Sequence, residues 1–265
     1  MRVAGIQFDT VWEDPAASME RATPWIAAAA AAGARLCVLP EMFGCGFSMA
    51  AQRFAEASDG PTSCFLAEQA RRHNMWLCGG VPEQARDTAL PFNSLVLVGP
   101  GGQLFRYRKI HPFTYAEEHK HYGAGTEFVT VHVEGLRCTL FICYDLRFAN
   151  EFWATAHDTD CYIVAANWPA RRREHWKTLL RARAIENQAW LLGVNRVGGG
   201  GGLHYSGDSQ IIDPSGELVA TAAAQETMIM ADIDAETVQQ TRQSFPVLND
   251  RRSTDANNSN SSLRI

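Results

Sequence analysis

Apolar and polar residues alternate along the chain in segments that predict a mixture of strands and helices. Short apolar runs bounded by turn residues predict buried strands, and longer stretches with apolar residues three and four positions apart predict helices. These patterns predict strands at residues 3–8, 35–39, 75–78, 93–98, 103–109, 129–133, 136–142, 161–166, 189–194, 210–213, 218–221 and 228–233. They predict helices at residues 15–32, 63–73, 148–156 and 174–188. This mixture of hairpins and helical crossovers is typical of an α/β protein.

No linker interrupts this series, so residues 1–248 are predicted to form a single domain. Five consecutive glycines at residues 198–202 predict a mobile loop inside that domain, because glycine restricts the backbone least. From residue 249 the sequence becomes polar and low in complexity, which predicts a disordered tail over residues 249–265.

The composition excludes several classes of protein. The 265 residues are 46% hydrophobic and 20% charged, which is enough to bury a sizeable core. The formal net charge is −5, whereas a general nucleic-acid-binding protein would carry a basic surplus. No apolar stretch is long enough to span a bilayer, and the N-terminal residues lack the apolar region of a signal peptide. We therefore expect a cytoplasmic protein that binds neither nucleic acid nor membranes.

The cysteine count supports the same location. The chain has seven cysteines, an odd number, so at least one thiol is free. A free thiol is typical of proteins in a reducing compartment.

Three segments carry side chains that could react together. Glu41 follows one predicted strand, Lys109 ends another, and Cys143 stands between a predicted strand and a predicted helix. A strand-to-helix turn exposes a nucleophile and directs backbone N–H groups toward it. Each residue also has an ordinary explanation: a surface carboxylate, a solvated ammonium or a small buried thiol.

The three groups make chemical sense as a unit. A thiol with a pKa of about 8.5 is mostly protonated at pH 7, and a carboxylate with a pKa of about 4.3 is a weak base for it. A nearby ammonium and a helix N-terminus would lower the thiol pKa, and burial would raise the carboxylate pKa. The lysine could then stabilise an oxyanion.

The same segments resemble the signatures of the nitrilase, or carbon–nitrogen hydrolase, superfamily. Pro-Glu at residues 40–41, Arg-Lys-x-His at residues 108–111 and Cys-Tyr-Asp-x-Arg-Phe at residues 143–148 occur in the family's order. Further similar stretches are residues 60–61, 93–94, 167–169 and 181–188. The resemblance covers residues 1 to about 250. It implies an α/β fold, a four-layer α-β-β-α sandwich of two mixed sheets, with no metal or organic cofactor and a homodimer or higher homo-oligomer.

The resemblance also implies a role for each reacting group. Glu41 would be the general base, and Cys143 would attack the amide carbon to form a thioester. Lys109 and the backbone N–H of Tyr144 would hold the oxyanion.

Many relatives carry a second glutamate between the lysine and the cysteine. Glu117 and Glu118 are both candidates in this chain. The similarity of residues 118–125 to an E-H-x-x-Y-x-x-G stretch of one branch favours Glu118.

The chain most resembles the omega-amidase branch, whose members hydrolyse the terminal amide of 2-oxoglutaramate or 2-oxosuccinamate. Such a substrate carries a carboxylate, which a cation in the pocket would hold. One of Arg171, Arg172 and Arg173 could reach the substrate, with Arg171 and Arg173 preferred, and at least two of the three are expected to be solvated. The candidate apolar walls of the pocket are Phe43, Phe113, Tyr115 and Trp168.

Two other functions stay open at this point. The first is an N-carbamoyl amino acid hydrolase or another aliphatic amidase of the same superfamily. The second is a non-catalytic binding protein, because the fold alone does not guarantee activity.

Overall fold

The structure is a computed structural model that describes residues 1–86 and 88–252. Its strands are β1 Arg2–Gln7, β2 Leu36–Val38, β3 Trp76–Glu83, β4 Phe92–Val98, β5 Leu104–Arg108, β6 Thr130–Val133, β7 Leu136–Ile142, β8 Cys161–Ala166, β9 Trp190–Asn195, β10 Val197–Gly200, β11 Leu203–Ser206, β12 Gln210–Ile212, β13 Leu218–Thr221 and β14 Thr227–Asp232. Its α-helices are α1 Pro15–Ala31, α2 Ala51–Phe54, α3 Pro61–His73, α4 Ala149–Thr155, α5 Arg173–Asn187 and α6 Ala235–Ser244. Short 3₁₀ helices occur at Thr114–Ala116, Glu118–Lys120, Cys143–Arg147, Ala156–Asp158, Ala170–Arg172 and Val247–Asp250.

Two six-stranded sheets organise the chain. The first has the strand order β14-β1-β2-β3-β4-β5, and the second has the order β13-β12-β9-β8-β7-β6. The three strands β1, β2 and β3 are parallel to one another, as are β7, β8 and β9, and the remaining neighbours in both sheets are antiparallel. The predicted α/β class with two mixed sheets is therefore confirmed.

The sheets pack face to face, and helices cover their outer sides. Strand β2 shows the alternation: Leu36 and Val38 pack in the core shared with the second sheet, and Cys37 packs in the core shared with α1 and α3. Helix α5 covers the second sheet, with Trp176 and Leu180 buried in a hydrophobic cluster that also contains residues of β9. Because both faces of these strands are buried, their sequences are continuous apolar runs.

The glycine run was expected to be a mobile loop, and that expectation is wrong. Residues Val197–Gly200 pair antiparallel with Leu203–Ser206 to form the hairpin β10–β11. The glycines are needed for close packing, since a Cβ on Gly198 would lie 2.1 Å from Cγ of Asp9 and one on Gly201 would lie 2.7 Å from the Trp12 ring. Helix α6 was also not predicted, because its sequence is mostly polar.

The described chain continues past the predicted domain boundary. Arg251 donates a hydrogen bond to the carbonyl of Trp153 at 2.7 Å and another to Oδ1 of Asn187 at 2.8 Å. The rest of the predicted tail, residues 253–265, lies outside the described residues. Within the described ranges, no helix combines the length and the apolar character needed to cross a bilayer.

Candidate active site

The three reacting side chains come from the ends of strands in both sheets. Glu41 lies in the turn after β2, and Lys109 directly follows β5, where its backbone N–H donates to the carbonyl of Asn93 on β4 at 2.9 Å. Cys143 directly follows β7 in the second sheet. Its φ of 43° is in the left-handed region, so the backbone turns sharply from the strand into a 3₁₀ helix.

At the bottom of the site, a buried lysine lies between two carboxylates. Lys109 Nζ donates to Oε1 of Glu41 at 2.9 Å and to Oε2 of Glu118 at 2.9 Å. Asn93 Nδ2 also bridges the pair, at 2.7 Å from Oε1 of Glu41 and 2.8 Å from Oε1 of Glu118. All three charged side chains are at most 1% exposed. The structure thus brings Glu41, Lys109 and Glu118 together.

Both carboxylates also accept hydrogen bonds from backbone N–H groups. Glu41 Oε2 accepts from the backbone N–H of Asn167 at 2.8 Å. Glu118 Oε2 accepts from the backbone N–H of Phe113 at 2.5 Å. Glu117, the alternative second glutamate, is instead exposed and pairs with Lys120 at 2.5 Å. Of the two candidate glutamates, only Glu118 contacts Lys109.

The two carboxylates keep Lys109 charged. Burial by itself would lower the pKa of the Lys109 ammonium, but the charges of Glu118 and Glu41 outweigh it and raise that pKa above its usual value. An ammonium that stays protonated is available to stabilise negative charge on a bound molecule.

The thiol of Cys143 differs from the sequence-based expectation. A nearby ammonium was expected to lower its pKa, yet burial and the Glu41 carboxylate raise that pKa well above its usual value, against the lowering effect of Lys109. The physical reason is the charge balance. One ammonium is shared by two carboxylates, so ionising the thiol would add a third negative charge to a buried site.

Asp145 ties the cysteine turn to the lysine strand. Its Oδ2 accepts from the Tyr107 hydroxyl at 2.8 Å and from the Ile142 N–H at 3.1 Å, and its Oδ1 accepts from the His111 N–H at 2.9 Å. Burial raises the pKa of Asp145 to about 6, although Lys109 and the hydrogen bonds oppose the change. The carboxylate therefore joins residues on either side of Lys109 to the backbone beside Cys143.

Cys143 lies in the wall of a cavity of about 100 Å³. Four of the predicted substrate-binding residues line it: Phe113, Tyr115, Trp168 and Arg171. Tyr144, the predicted backbone donor to the oxyanion, lines it as well.

Two predicted substrate-binding residues lie elsewhere, and their assignments are corrected. Phe43 is fully buried between the first sheet and its covering helices, 6.2 Å from the Phe65 ring. Arg173 opens helix α5 and donates to Oδ1 of Asp208 at 2.6 Å. The apolar pattern could show that Phe43 is buried but not which core it enters.

The cavity also contains residues that the sequence did not assign. Phe47 lies in its wall, with the centroid of its ring 5.1 Å from Lys109 Nζ. Arg172 lines the cavity with its guanidinium 5.2 Å from the centroid of the Phe113 ring. Leu203 reaches the wall from the glycine hairpin, and no local sequence signal places it there. Asn167 belongs to a stretch that matched the family, so that resemblance was a usable signal.

Among the residues that the structure describes, no group of three or more His, Cys, Asp or Glu side chains is arranged to hold a metal ion.

The fold of two mixed sheets with helices on their outer sides is shared with solved structures of the nitrilase, or carbon–nitrogen hydrolase, superfamily. The family model for carbon–nitrogen hydrolases matches residues 2–243, and the chain belongs to this family.

Curated relatives and solved structures match along nearly the whole chain. Omega-amidase YafV from Escherichia coli strain K12 is 39% identical over 253 residues, covering 94% of this chain and 96% of that protein. The 2-oxoglutaramate amidase of Bacillus subtilis strain 168 is 30% identical and covers 94% of this chain and 97% of its own length. XC1258 from Xanthomonas campestris, a CN-hydrolase superfamily protein, is 37% identical with a TM-score of 0.91 over 96% of this chain and 97% of that one. The superfamily and fold that the sequence predicted are thereby confirmed.

Proposed function

We propose that the chain is an omega-amidase that hydrolyses the terminal amide of 2-oxoglutaramate or 2-oxosuccinamate to the 2-oxo acid and ammonia. One observation carries the proposal: the buried Glu41–Lys109–Glu118 cluster lies beside a thiol in the wall of a cavity that contains arginines. The names of the Escherichia coli and Bacillus subtilis relatives support the substrate class.

Acylation begins with proton transfer from Cys143 to Glu41. Because the thiol is protonated in the resting site, Sγ loses its proton as it bonds to the amide carbon. The negative charge that develops on the carbonyl oxygen is stabilised by the Lys109 ammonium and the backbone N–H of Tyr144. Glu41 then gives its proton to the nitrogen, the C–N bond breaks, and ammonia leaves behind a thioester.

Hydrolysis of the thioester repeats the cycle with water. Glu41 takes a proton from water as the oxygen attacks the thioester carbon, and the C–S bond breaks. The departing sulfur regains a proton from Glu41. Glu118 acts as a positioning residue in both halves, since its two oxygens hold the ammonium and the Asn93 amide in place.

Arg172 is the proposed partner of the substrate carboxylate. It lines the cavity, and burial lowers its pKa, although an arginine stays charged at neutral pH. In the described part of the chain it forms no ion pair, whereas Arg173 pairs with Asp208. The guanidinium of Arg171 instead lies 5.5 Å from the ring centroid of Tyr115, which is exposed.

The test is the release of ammonia from a set of substrates by the full-length chain. We expect the highest kcat/KM for 2-oxoglutaramate or 2-oxosuccinamate, and lower values for N-carbamoyl amino acids, uncharged aliphatic amides and nitriles. Cys143→Ala should lower the rate by about 10⁴-fold or more, because no other group supplies the nucleophile.

Cys64→Ala is the matched control, since Cys64 is exposed on helix α3 and away from the cavity. It should keep full activity. A higher kcat/KM for an N-carbamoyl amino acid than for the 2-oxo-acid amides would indicate an N-carbamoyl amino acid hydrolase. A folded wild type that releases ammonia from none of the substrates would indicate a binding protein.

We also propose a homodimer or higher homo-oligomer in a reducing, cytoplasmic compartment. All seven cysteines are unpaired, which supports the compartment. Trp153 on α4, Ile185 on α5 and Phe245 at the end of α6 expose apolar side chains, which supports self-association. A monomeric mass from light scattering would contradict the oligomer.

A further inference from the structure

The side chain of Asn167 is held rigidly against Glu41. Asn167 directly follows β8 and is 3% exposed. Its backbone N–H donates to Oε2 of Glu41 at 2.8 Å, and its Nδ2 donates to the Glu41 carbonyl at 2.6 Å. Because a carbonyl oxygen can only accept, the amide nitrogen of Asn167 must face Glu41, and Oδ1 must face away from that carbonyl.

That Oδ1 atom is buried and has no hydrogen-bond partner within residues 1–86 and 88–252. A buried acceptor without a donor destabilises a protein, so native structures rarely leave one unpaired. The neighbouring Asn195 shows the usual arrangement: its Oδ1 accepts from the Trp168 N–H at 2.7 Å, and its Nδ2 donates to the Trp168 and Gly207 carbonyls. The fold therefore provides partners for the whole side-chain amide of Asn195 but leaves the acceptor oxygen of Asn167 unpaired.

The position of Asn167 indicates where a donor would come from. Asn167 and Cys143 are both part of the wall of the same cavity. Asn93 Oδ1 is also without a partner, but Asn93 does not line that cavity. A molecule bound beside the thiol is thus positioned to supply the donor that Asn167 lacks.

We propose that Asn167 Oδ1 accepts a hydrogen bond from an N–H of the substrate's amide and so makes the site selective for amides over esters. This inference rests on the proposed function. An ester of the same acid has no N–H to donate, and its alkoxy oxygen would face Oδ1 with lone pairs. A site that binds a substrate N–H in this way discriminates against an analogue that lacks it.

The same bond would orient the leaving group. When Sγ of Cys143 has bonded to the amide carbon, the nitrogen becomes pyramidal and carries a lone pair. One N–H directed at Asn167 Oδ1 turns this lone pair toward Glu41, which holds the proton taken from the thiol. The proton moves to nitrogen, the C–N bond breaks with its electrons going to nitrogen, and ammonia leaves.

The experiment compares two substrates with one acyl group: 2-oxoglutaramate and the 5-methyl ester of 2-oxoglutarate. Both form the same thioester, so kcat/KM reports their acylation steps. We expect Asn167→Ala to lower kcat/KM for the amide about ten-fold more than for the ester. A purely structural role, such as support of Glu41, would lower both values by the same factor.

Asn195→Ala is the matched control, because it removes a buried asparagine with no unpaired acceptor. It should lower both values equally. Asn167→Asp keeps an acceptor oxygen at the same position, so its amide-to-ester ratio should stay near that of wild type even where both rates fall. If Asn167→Ala does not fold, the Asp variant decides: a retained ratio supports the inference and a lost ratio overturns it.

Equal losses for the two substrates in a folded Asn167→Ala variant would also overturn the inference and leave the proposed function intact. A wild type that releases no ammonia from 2-oxoglutaramate or 2-oxosuccinamate would instead overturn the proposed function.

Discussion

At the scale of single residues, the site depends on the balance of charge around Cys143. Lys109 is the ammonium between Glu41 and Glu118, and both carboxylates bond to it directly. The resting thiol therefore stays protonated, and its pKa is raised by burial first and by Glu41 next. We infer that the nucleophile forms during attack and is not stored as a thiolate.

This balance predicts the behaviour of a Glu41→Gln variant. Removing the Glu41 charge should lower the thiol pKa, so alkylation of Cys143 by iodoacetamide at pH 8 should become at least about five-fold faster, because one pKa unit is ten-fold in thiolate. Amide hydrolysis should be lost in the same variant, since its general base is gone. Mass spectrometry of the labelled peptide gives the alkylation rate at this residue.

Glu117→Gln is the control for this prediction, because Glu117 is exposed and contacts Lys120 instead of Lys109. Its alkylation rate should match that of wild type. In wild type, the rate at Cys143 should also keep rising as the pH passes the usual thiol range. Slower alkylation of Glu41→Gln would contradict the charge balance inferred for the site.

At the scale of elements, the hairpin β10–β11 shows how a glycine run can be ordered. Gly198 has a φ of +82°, and a Cβ there would meet the Asp9 carboxyl group. Asp9 in turn accepts from the buried guanidinium of Arg196 at 2.6 Å. The hairpin ends at the cavity, where Leu203 forms part of the wall. Close packing, and not flexibility, accounts for the glycines at 198 and 201.

The hairpin therefore predicts different costs for two alanine substitutions. Gly202 has a φ of +74° with no atom within 4 Å of a Cβ, so Gly202→Ala should cost only about 1 kcal/mol of the free energy of unfolding. Gly198→Ala should cost about 2 kcal/mol more, because its Cβ overlaps Asp9. Urea unfolding of the two variants measures the difference, and equal costs would show that the hairpin does not pack as described.

At the scale of the whole molecule, the site exists only where the two sheets meet. Glu41 and Lys109 follow strands of the first sheet, whereas Cys143 and Asn167 follow strands of the second. Bonds from Asn167 to Glu41 and from Tyr107 to Asp145 cross between these halves. Neither sheet carries a complete set of reacting groups, which supports the proposal that both sheets belong to one domain.

Two truncations test where that domain ends. Arg251 donates to Trp153 and Asn187, and its guanidinium lies 3.5 Å from the centroid of the Trp153 ring. A chain ending at residue 248 should therefore lose about 1–2 kcal/mol of the free energy of unfolding. A chain ending at residue 252 should match the full chain, because residues 253–265 are polar and low in complexity. Equal unfolding midpoints for the two truncations would leave the boundary at residue 248.

The sequence by itself determined the strands of the two six-stranded sheets, the helices α1, α3, α4 and α5, and the candidate chemistry. The central strands β2, β8 and β9 are buried on both faces, so their apolar runs are visible without the fold. The order of the motifs around Glu41, Lys109 and Cys143 indicated the family. The polar helix α6 and the hairpin β10–β11 were missed because their local patterns resemble those of loops.

Only the tertiary structure decided which neighbours surround each group. It placed Glu118, and not Glu117, against Lys109. It placed Phe47 and Arg172 in the cavity wall, with Phe43 in the core and Arg173 against Asp208. It also reversed the expected direction of the Cys143 pKa. The physical reason is that periodicity reports whether a side chain is buried, whereas pKa values and hydrogen bonds depend on distances between segments far apart in the chain. Asn167 and Glu41 are 126 residues apart and meet only when the two sheets pack.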